Sequence, residues 1–231
     1  EIAPSDWSSD VCSSDLAEPE VGVFRRSGFV GGAPPQNFRM GTWPEGLGTE
    51  EKGMKTTMSD SRIALNELNG MEEERFVRLL GAVFEHSPWV ASAAFARRPF
   101  ENLAELHEAM MGAVLSSSDD TVLQFLCAHP ELAGREMQEG KLTENSSLEQ
   151  ARAGLDALAP EEFRCLNSLN AEYRARHGFP FIACVRHYTK EGIFYELSRR
   201  LDRSTAEERR TALEQIVAIS RIRLEALVRD E

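Results

Sequence analysis

Four stretches carry side chains suited to proton transfer and to recognition of a charged ligand: His129-Pro130, Ser146-Ser147-Leu148-Glu149-Gln150, Phe181-Ile182-Ala183-Cys184-Val185, and Arg223. Imidazole is the side chain whose unperturbed pKa suits proton exchange at neutral pH. A residue before proline is pushed out of the α region, and Pro130 fits the first turn of a following helix, where its missing N–H costs nothing. His129 is therefore expected at a corner between two helices, its ring free of both. The alternative is a histidine that caps the last carbonyls of the preceding helix.

The serine-glutamate stretch contains two overlapping helix-start boxes, Ser146 with Glu149 and Ser147 with Gln150. If Ser147 and Gln150 close the box, Glu149 is left over, next to backbone N–H groups and a positive dipole end that suit an anion. An ordinary cap explains the same residues. The strip from Phe179 to Val185 is too apolar for a solvent-facing loop. It either crosses the core or lines a pocket, where its peptide groups offer hydrogen-bonding edges to a flat ring. On the last helix, at about 100° per residue, Leu213, Ile216, Val217, Ser220, Leu224 and Leu227 form the expected buried stripe. Arg223 lies about 60° from its centre and Arg221 about 100° away on the other side. Arg223 is the better candidate to reach inward; otherwise its stem lies along the stripe's edge with its head in water.

The elements that must position these groups are helical nearly throughout. Phe76, Leu79, Leu80, Val83 and Phe84 follow the helical period, and Pro88 restarts the chain. Leu103, Leu106, Met110, Ala113 and Val114 repeat the pattern. Ser118 can cap a helix burying Val122, Leu123, Phe125 and Leu126. A long helix spans about Pro160 to His177, with Phe163, Leu166, Leu169, Asn170 and Tyr173 on one side, and Gly178 is placed to end it left-handed. Thr189 and Ser204 open two final helices, the second with the box Ser204 to Glu207. Only Phe181 to Val185 looks extended, and one strand has no partner. The expected fold is an all-α bundle.

Composition excludes several functions. From Met58 onward 29 Asp plus Glu face 21 Lys plus Arg, a net of −8 within the whole chain's −12. Without a basic stripe, nucleic acid is excluded as a partner. No apolar run reaches the length of a membrane span, so no membrane association is expected. Cys127, Cys165 and Cys184 are widely spaced, and the five histidines show no metal-ligand spacing, so no metal site is expected and a reducing cytoplasm is. Residues 1–57 stand apart. Asp6 to Leu16 is worded like translated adapter sequence, and the stretch from Ala17 to Thr57 is rich in glycine and proline without helical period. This segment is expected to be disordered or non-native, with Met58 as the true start and residues 58–231 as the domain.

Further phrases accompany the four stretches: Glu85-His86-Ser87-Pro88-Trp89, Arg98-Pro99-Phe100, Leu166-Asn167-Ser168-Leu169-Asn170-Ala171-Glu172-Tyr173, Thr189-Lys190-Glu191, and Ile219-Ser220-Arg221-Ile222-Arg223-Leu224. In order and separation, from about Ser61 to Arg229, they resemble the family that decarboxylates 2-oxo-4-hydroxy-4-carboxy-5-ureidoimidazoline (OHCU) in urate degradation. The resemblance implies an all-helical fold, a homodimer, no metal or organic cofactor, and formation of (S)-allantoin. It assigns catalysis to His129 and Glu149. It assigns substrate contacts to Pro130, Ser146, Ser147, Leu148, Gln150, Phe181, Ile182, Ala183, Cys184, Val185 and Arg223. Arg176-His177 stands where the family more usually has a bulky aromatic. Two other classes compete: a helical thiol oxidoreductase using Cys127, and a non-catalytic acidic interaction module.

Overall fold

The computed structural model describes residues 61–231; the expectations for residues 1–57 and for the start at Met58 lie outside the described residues. The fold is all-α. Its helices are α1 (Leu65–Asn69), α2 (Glu73–Leu80), α3 (Pro88–Phe95), α4 (Leu103–Leu115), α5 (Asp119–Cys127), α6 (Arg135–Gln138), α7 (Glu144–Arg152), α8 (Pro160–His177), α9 (Lys190–Leu201) and α10 (Thr205–Leu227). The helical period of Phe76 to Phe84 is carried by α2 and then by a 3-10 turn over Gly81–Phe84, and Pro88 starts α3 at its first position.

Local signals set most boundaries. Ser118 accepts from the Thr121 N–H, Thr189 from Gly192, and Ser204 from Glu207 while the Glu207 carboxylate accepts from the Ser204 N–H. Gly178 ends α8 at φ 83°, which a side chain would disfavour. Two short strands depart from the purely helical expectation. Ile63–Ala64 pairs in parallel with Val228–Arg229, tying the first described residues to the end of α10.

α4 is the core helix. It buries Leu103, Leu106, His107, Ala109, Met110, Met111 and Val114, and packs against α3, α5 and α10. His107 Nε2 meets Ser220 Oγ at 2.8 Å, joining α4 to α10. Two predicted stripes need correction. Leu123 is exposed, because α5 turns only Val122, Phe125 and Leu126 inward. Val217 is 39% exposed, and the buried face of α10 runs instead through Ala212, Ile216, Ile219, Ser220, Arg223 and Leu224. The apolar centroid places the stripe too far toward Val217, since it leaves out Ile219 and gives polar Arg223 no share in the buried face. Among the described residues, no helix is long and apolar enough to cross a membrane, and no group of His, Cys, Asp and Glu is arranged to hold a metal.

A second buried polar cluster braces the chain between α8 and α9. Arg200 and Glu208 are fully buried and paired at 2.7 Å, and the Tyr173 hydroxyl donates to the same carboxylate oxygen at 2.6 Å. Arg200 also donates to the Ile182 carbonyl at 2.9 Å and lies over the Phe181 ring, 4.5 Å from its centre. An ion pair buried this deeply offsets its desolvation only through such extra hydrogen bonds.

Candidate active site

Five elements converge on one small cavity: the turn after α2, the corner after α5, helix α7, the strip before α9, and α10. About 30 Å³ of it is open to a water-sized sphere, within about 370 Å³ of unfilled space that includes its mouth. The open part is far smaller than the roughly 300–1,000 Å³ of a typical small-molecule pocket. Predicted residues His129, Pro130, Ser146, Glu149, Gln150, Phe181, Ile182, Ala183, Val185 and Arg223 line it. Ser147 and Leu148 do not; both are exposed, Leu148 by half. Cys184 is buried behind the strip, its N–H donating to Gln215 Oε1 at 2.9 Å.

The corner at His129 departs from expectation in two respects. Pro130 opens no helix; the chain turns through Leu132 and Ala133, and α6 begins only at Arg135. A tight turn replaces the first helical turn because Gln150 Oε1 accepts from the Ala133 N–H at 2.8 Å and Asn170 donates to the Leu132 carbonyl at 2.9 Å. Ala133 is held there at φ 49°. Gln150 thus shapes the cavity wall as well as lining it. The ring is also not free of the preceding helix: its Nδ1 lies 3.2 Å from the Phe125 carbonyl of α5, as in the alternative reading, while the ring still lines the cavity. A carbonyl only accepts, so Nδ1 carries the hydrogen and Nε2 is the nitrogen left for a ligand. Burial pushes the His129 pKa down to about 4, against the pull of Glu85 and the Phe125 carbonyl. The ring is neutral at pH 7.

The start of α7 also moves. Thr143, not Ser146 or Ser147, caps the helix, its hydroxyl accepting from the Ser146 N–H at 3.3 Å. The extra turn places Glu149 well inside the helix, so the helix N-terminus does not face it. It also frees the Ser146 hydroxyl, which donates to Glu85 Oε1 at 2.5 Å.

Sequence reasoning misses Glu85 as a site residue. Its phrase enters only through resemblance, although a carboxylate directly after the apolar Ala82-Val83-Phe84 is itself a signal. It is 4% exposed and held at φ 52°, a backbone conformation that costs a non-glycine residue about 1–3 kcal/mol. Thr143 Oγ1 donates to it at 2.8 Å and Arg223 Nη1 pairs with it at 2.6 Å. Burial raises its pKa, but Arg223 and the two hydroxyls outweigh this and hold it below the ordinary carboxylate value. Leu132 and Ile219 complete the apolar wall, and neither stands among the predicted site residues.

Arg223 does reach inward, 4% exposed. Its Nε and Nη2 grip Glu149 at 3.0 and 2.7 Å, its Nη2 also donates to Ser146 Oγ at 3.2 Å, and its Nη1 serves Glu85 and the Val83 carbonyl. Guanidinium has five donors, and five are used. Arg223 therefore orients two carboxylates and keeps no N–H for a ligand. Cys127 stands apart from this chemistry: its thiol points to the Gly178 carbonyl at 3.4 Å and it does not line the cavity. The arrangement offers a neutral imidazole, a fixed pair of carboxylates and an apolar peptide strip around a small ligand, which suits proton transfer shielded from water.

The family model described as OHCU decarboxylase matches residues 69–225. A 2-oxo-4-hydroxy-4-carboxy-5-ureidoimidazoline decarboxylase of Haloferax volcanii is 39% identical over 162 residues, 70% of this chain and 94% of that protein. The Mus musculus protein of the same name is 38% identical over 164 residues, 70% of this chain and 90% of its own length. The crystal structure of an (S)-allantoin synthase superposes with TM-score 0.56 at 30% identity, over 71% of this chain; the match spans about half, 54%, of that longer protein. A crystal structure of OHCU decarboxylase in the presence of (S)-allantoin shares the fold, with TM-score 0.50 at 18% identity over 67% of this chain and 96% of that one. The family match runs from before Glu85 to beyond Arg223 and so encloses every residue that lines the cavity; the chain belongs to the OHCU decarboxylase family.

Proposed function

We propose that this chain decarboxylates 2-oxo-4-hydroxy-4-carboxy-5-ureidoimidazoline to (S)-allantoin, with His129 and Glu149 as its catalytic pair. The observation that carries the reading is the neutral His129, tied through Nδ1 to Phe125 and presenting Nε2 to the cavity that Glu149 also lines. The substrate's carboxylate sits on a ring carbon beside a C=N bond. When the C–CO2 bond breaks, its electrons flow toward the ring nitrogen, so the sink lies within the substrate. Nε2 accepts the proton of the neighbouring hydroxyl as the carbonyl forms, a proton is delivered to one face of the adjacent ring carbon, and the ring nitrogen that received the electrons takes up another from solvent. The balance is one proton taken up for each CO2 lost. Glu149, held by two Arg223 donors, accepts from ureido or ring N–H groups. The peptide edge of Phe181 to Val185 meets the ring, with Pro130 and Ser146 at its border.

Proton transfer by a positioned imidazole is worth about 10²–10⁴-fold, and fixed dipoles around the ring supply the electrostatic part. The family resemblance extends the reading to a cytoplasmic homodimer that needs no metal or organic cofactor. The test is decay of freshly generated substrate with and without the protein, followed by circular dichroism of the product. Faster decay with optically active allantoin is expected. Decay at the spontaneous rate would overturn the proposal.

A further inference from the structure

The interior of the site is poor in positive charge for a substrate that brings a carboxylate. Glu85 and Glu149 share the single guanidinium of Arg223, whose five donors are all occupied, and His129 adds none. A carboxylate pushed to the floor of this cavity would meet net negative charge. The cationic complement must stand elsewhere.

A second hollow of about 300 Å³ opens beside the cavity and shares Glu149 and Val185 with it, so the two adjoin. It is lined by Arg152 from the last turn of α7 and by Arg186 from the 3-10 turn over Val185–His187, with Tyr188 also in its wall. Both arginines are exposed, and neither side chain makes a hydrogen bond or ion pair with another described residue. Most arginines of this acidic domain are paired, as in Arg174 with Glu131, Arg199 with Glu196 and Arg209 with Asp119. Arg152 also suits the carbonyl end of α7. Arg186 has no such role.

We propose that Arg152 and Arg186 form a carboxylate-binding collar at the mouth of the active site, which orients the substrate with its ring inward and its carboxylate outward. This rests on the decarboxylase reading for the substrate, but the collar is defined by charge alone. The leaving CO2 then departs toward solvent, and the neutral product has nothing for the collar to hold. Guanidinium is well matched to such a group, since its planar fork pairs with both carboxylate oxygens.

The experiment compares wild type with Arg152→Gln, Arg186→Gln, the double variant, and the double lysine variant that keeps the charge. Calorimetry reads binding of hydantoin-5-acetate, a stable ring carboxylate, against neutral hydantoin. Wild type should prefer the anion, and the double glutamine variant should lose about tenfold of that preference while binding hydantoin unchanged; the lysines should restore part of it. In turnover, KM should rise with little change in kcat, its salt dependence should flatten, and inhibition by allantoin should stay the same. A wild type without preference for the anion, or a preference that survives in the double variant, overturns the collar. Equal weakening of hydantoin and its acetate also overturns it, since the arginines would then only shape the pocket. Loss of the decarboxylase reading would show separately, as a wild type that prefers the anion but turns over no substrate.

Discussion

Arg223 commits every donor to Glu149, Glu85, Ser146 and the Val83 carbonyl, and that commitment makes it a brace between helices. Arg223→Lys keeps one charge but loses the fork, so turnover should fall by at least an order of magnitude. Arg221→Ala removes only an exposed pair with Glu225 and should change stability by less than about 1 kcal/mol, with activity unaffected. Equal effects on activity would place Arg221, too, in the site. His129→Asn keeps a polar side chain without the titratable ring. Its far-ultraviolet spectrum should match wild type while kcat falls by about 10²–10⁴-fold and the product becomes nearly racemic. The buried imidazole also sets a pH dependence. Its pKa falls from 6.5 to about 4 on folding, so between those values the unfolded chain binds a proton that the folded one refuses. Stability is therefore full above about pH 6.5 and declines as pH drops toward 4. Glu85 acts in the same sense, its contribution disappearing as pH falls below the ordinary carboxylate value. Denaturant midpoints at pH 7.5 and 5 should show the loss, and kcat/KM should be flat near neutrality with an acid limb toward pH 4.

At the scale of elements, the site depends on where helices begin and what braces the strip between α8 and α9. Ser118→Ala removes the cap of α5, whose far end carries His129, and should cost about 1 kcal/mol by urea denaturation. Arg200→Ala is a harsher test. It would leave buried Glu208 with only the longer Arg203 pair at 3.4 Å and the Tyr173 hydroxyl, release the Ile182 carbonyl and uncover the Phe181 ring. Removing one partner of a buried pair costs about 3–5 kcal/mol, so a large drop in unfolding free energy is expected. A drop below about 1 kcal/mol would mean that the cluster relaxes by admitting water.

At the scale of the molecule, the described residues fall within one compact unit, Thr56–Glu231, and the family match lies inside it. The glycine- and proline-rich wording of residues 1–57 has no counterpart in that match. A chain beginning at Met58 should therefore keep the melting temperature and turnover of the full chain within error. A melting temperature lower by several degrees would assign the first segment a structural role.

Helical periodicity and capping residues are local, short-range signals, so the all-α class, the caps at Ser118, Thr189 and Ser204 and the end at Gly178 were legible in the sequence. That His129 and Glu149 face one cavity was legible through resemblance, because motif order survives in a linear text. Competition between neighbours was not. Thr143 and the two serines are each competent caps; Thr143 takes the role, while its hydroxyl and that of Ser146 both turn to Glu85, distant in sequence. Pro130 could have opened a helix, but Gln150 and Asn170, distant in sequence, hold the turn after it. Glu85 became a site residue because a strained backbone and the last helix meet there. The rotation of α10 was set by packing around Ile219 and by ion pairs that pull Arg223 under the surface. Such choices depend on partners far along the chain, so tertiary structure alone decided them.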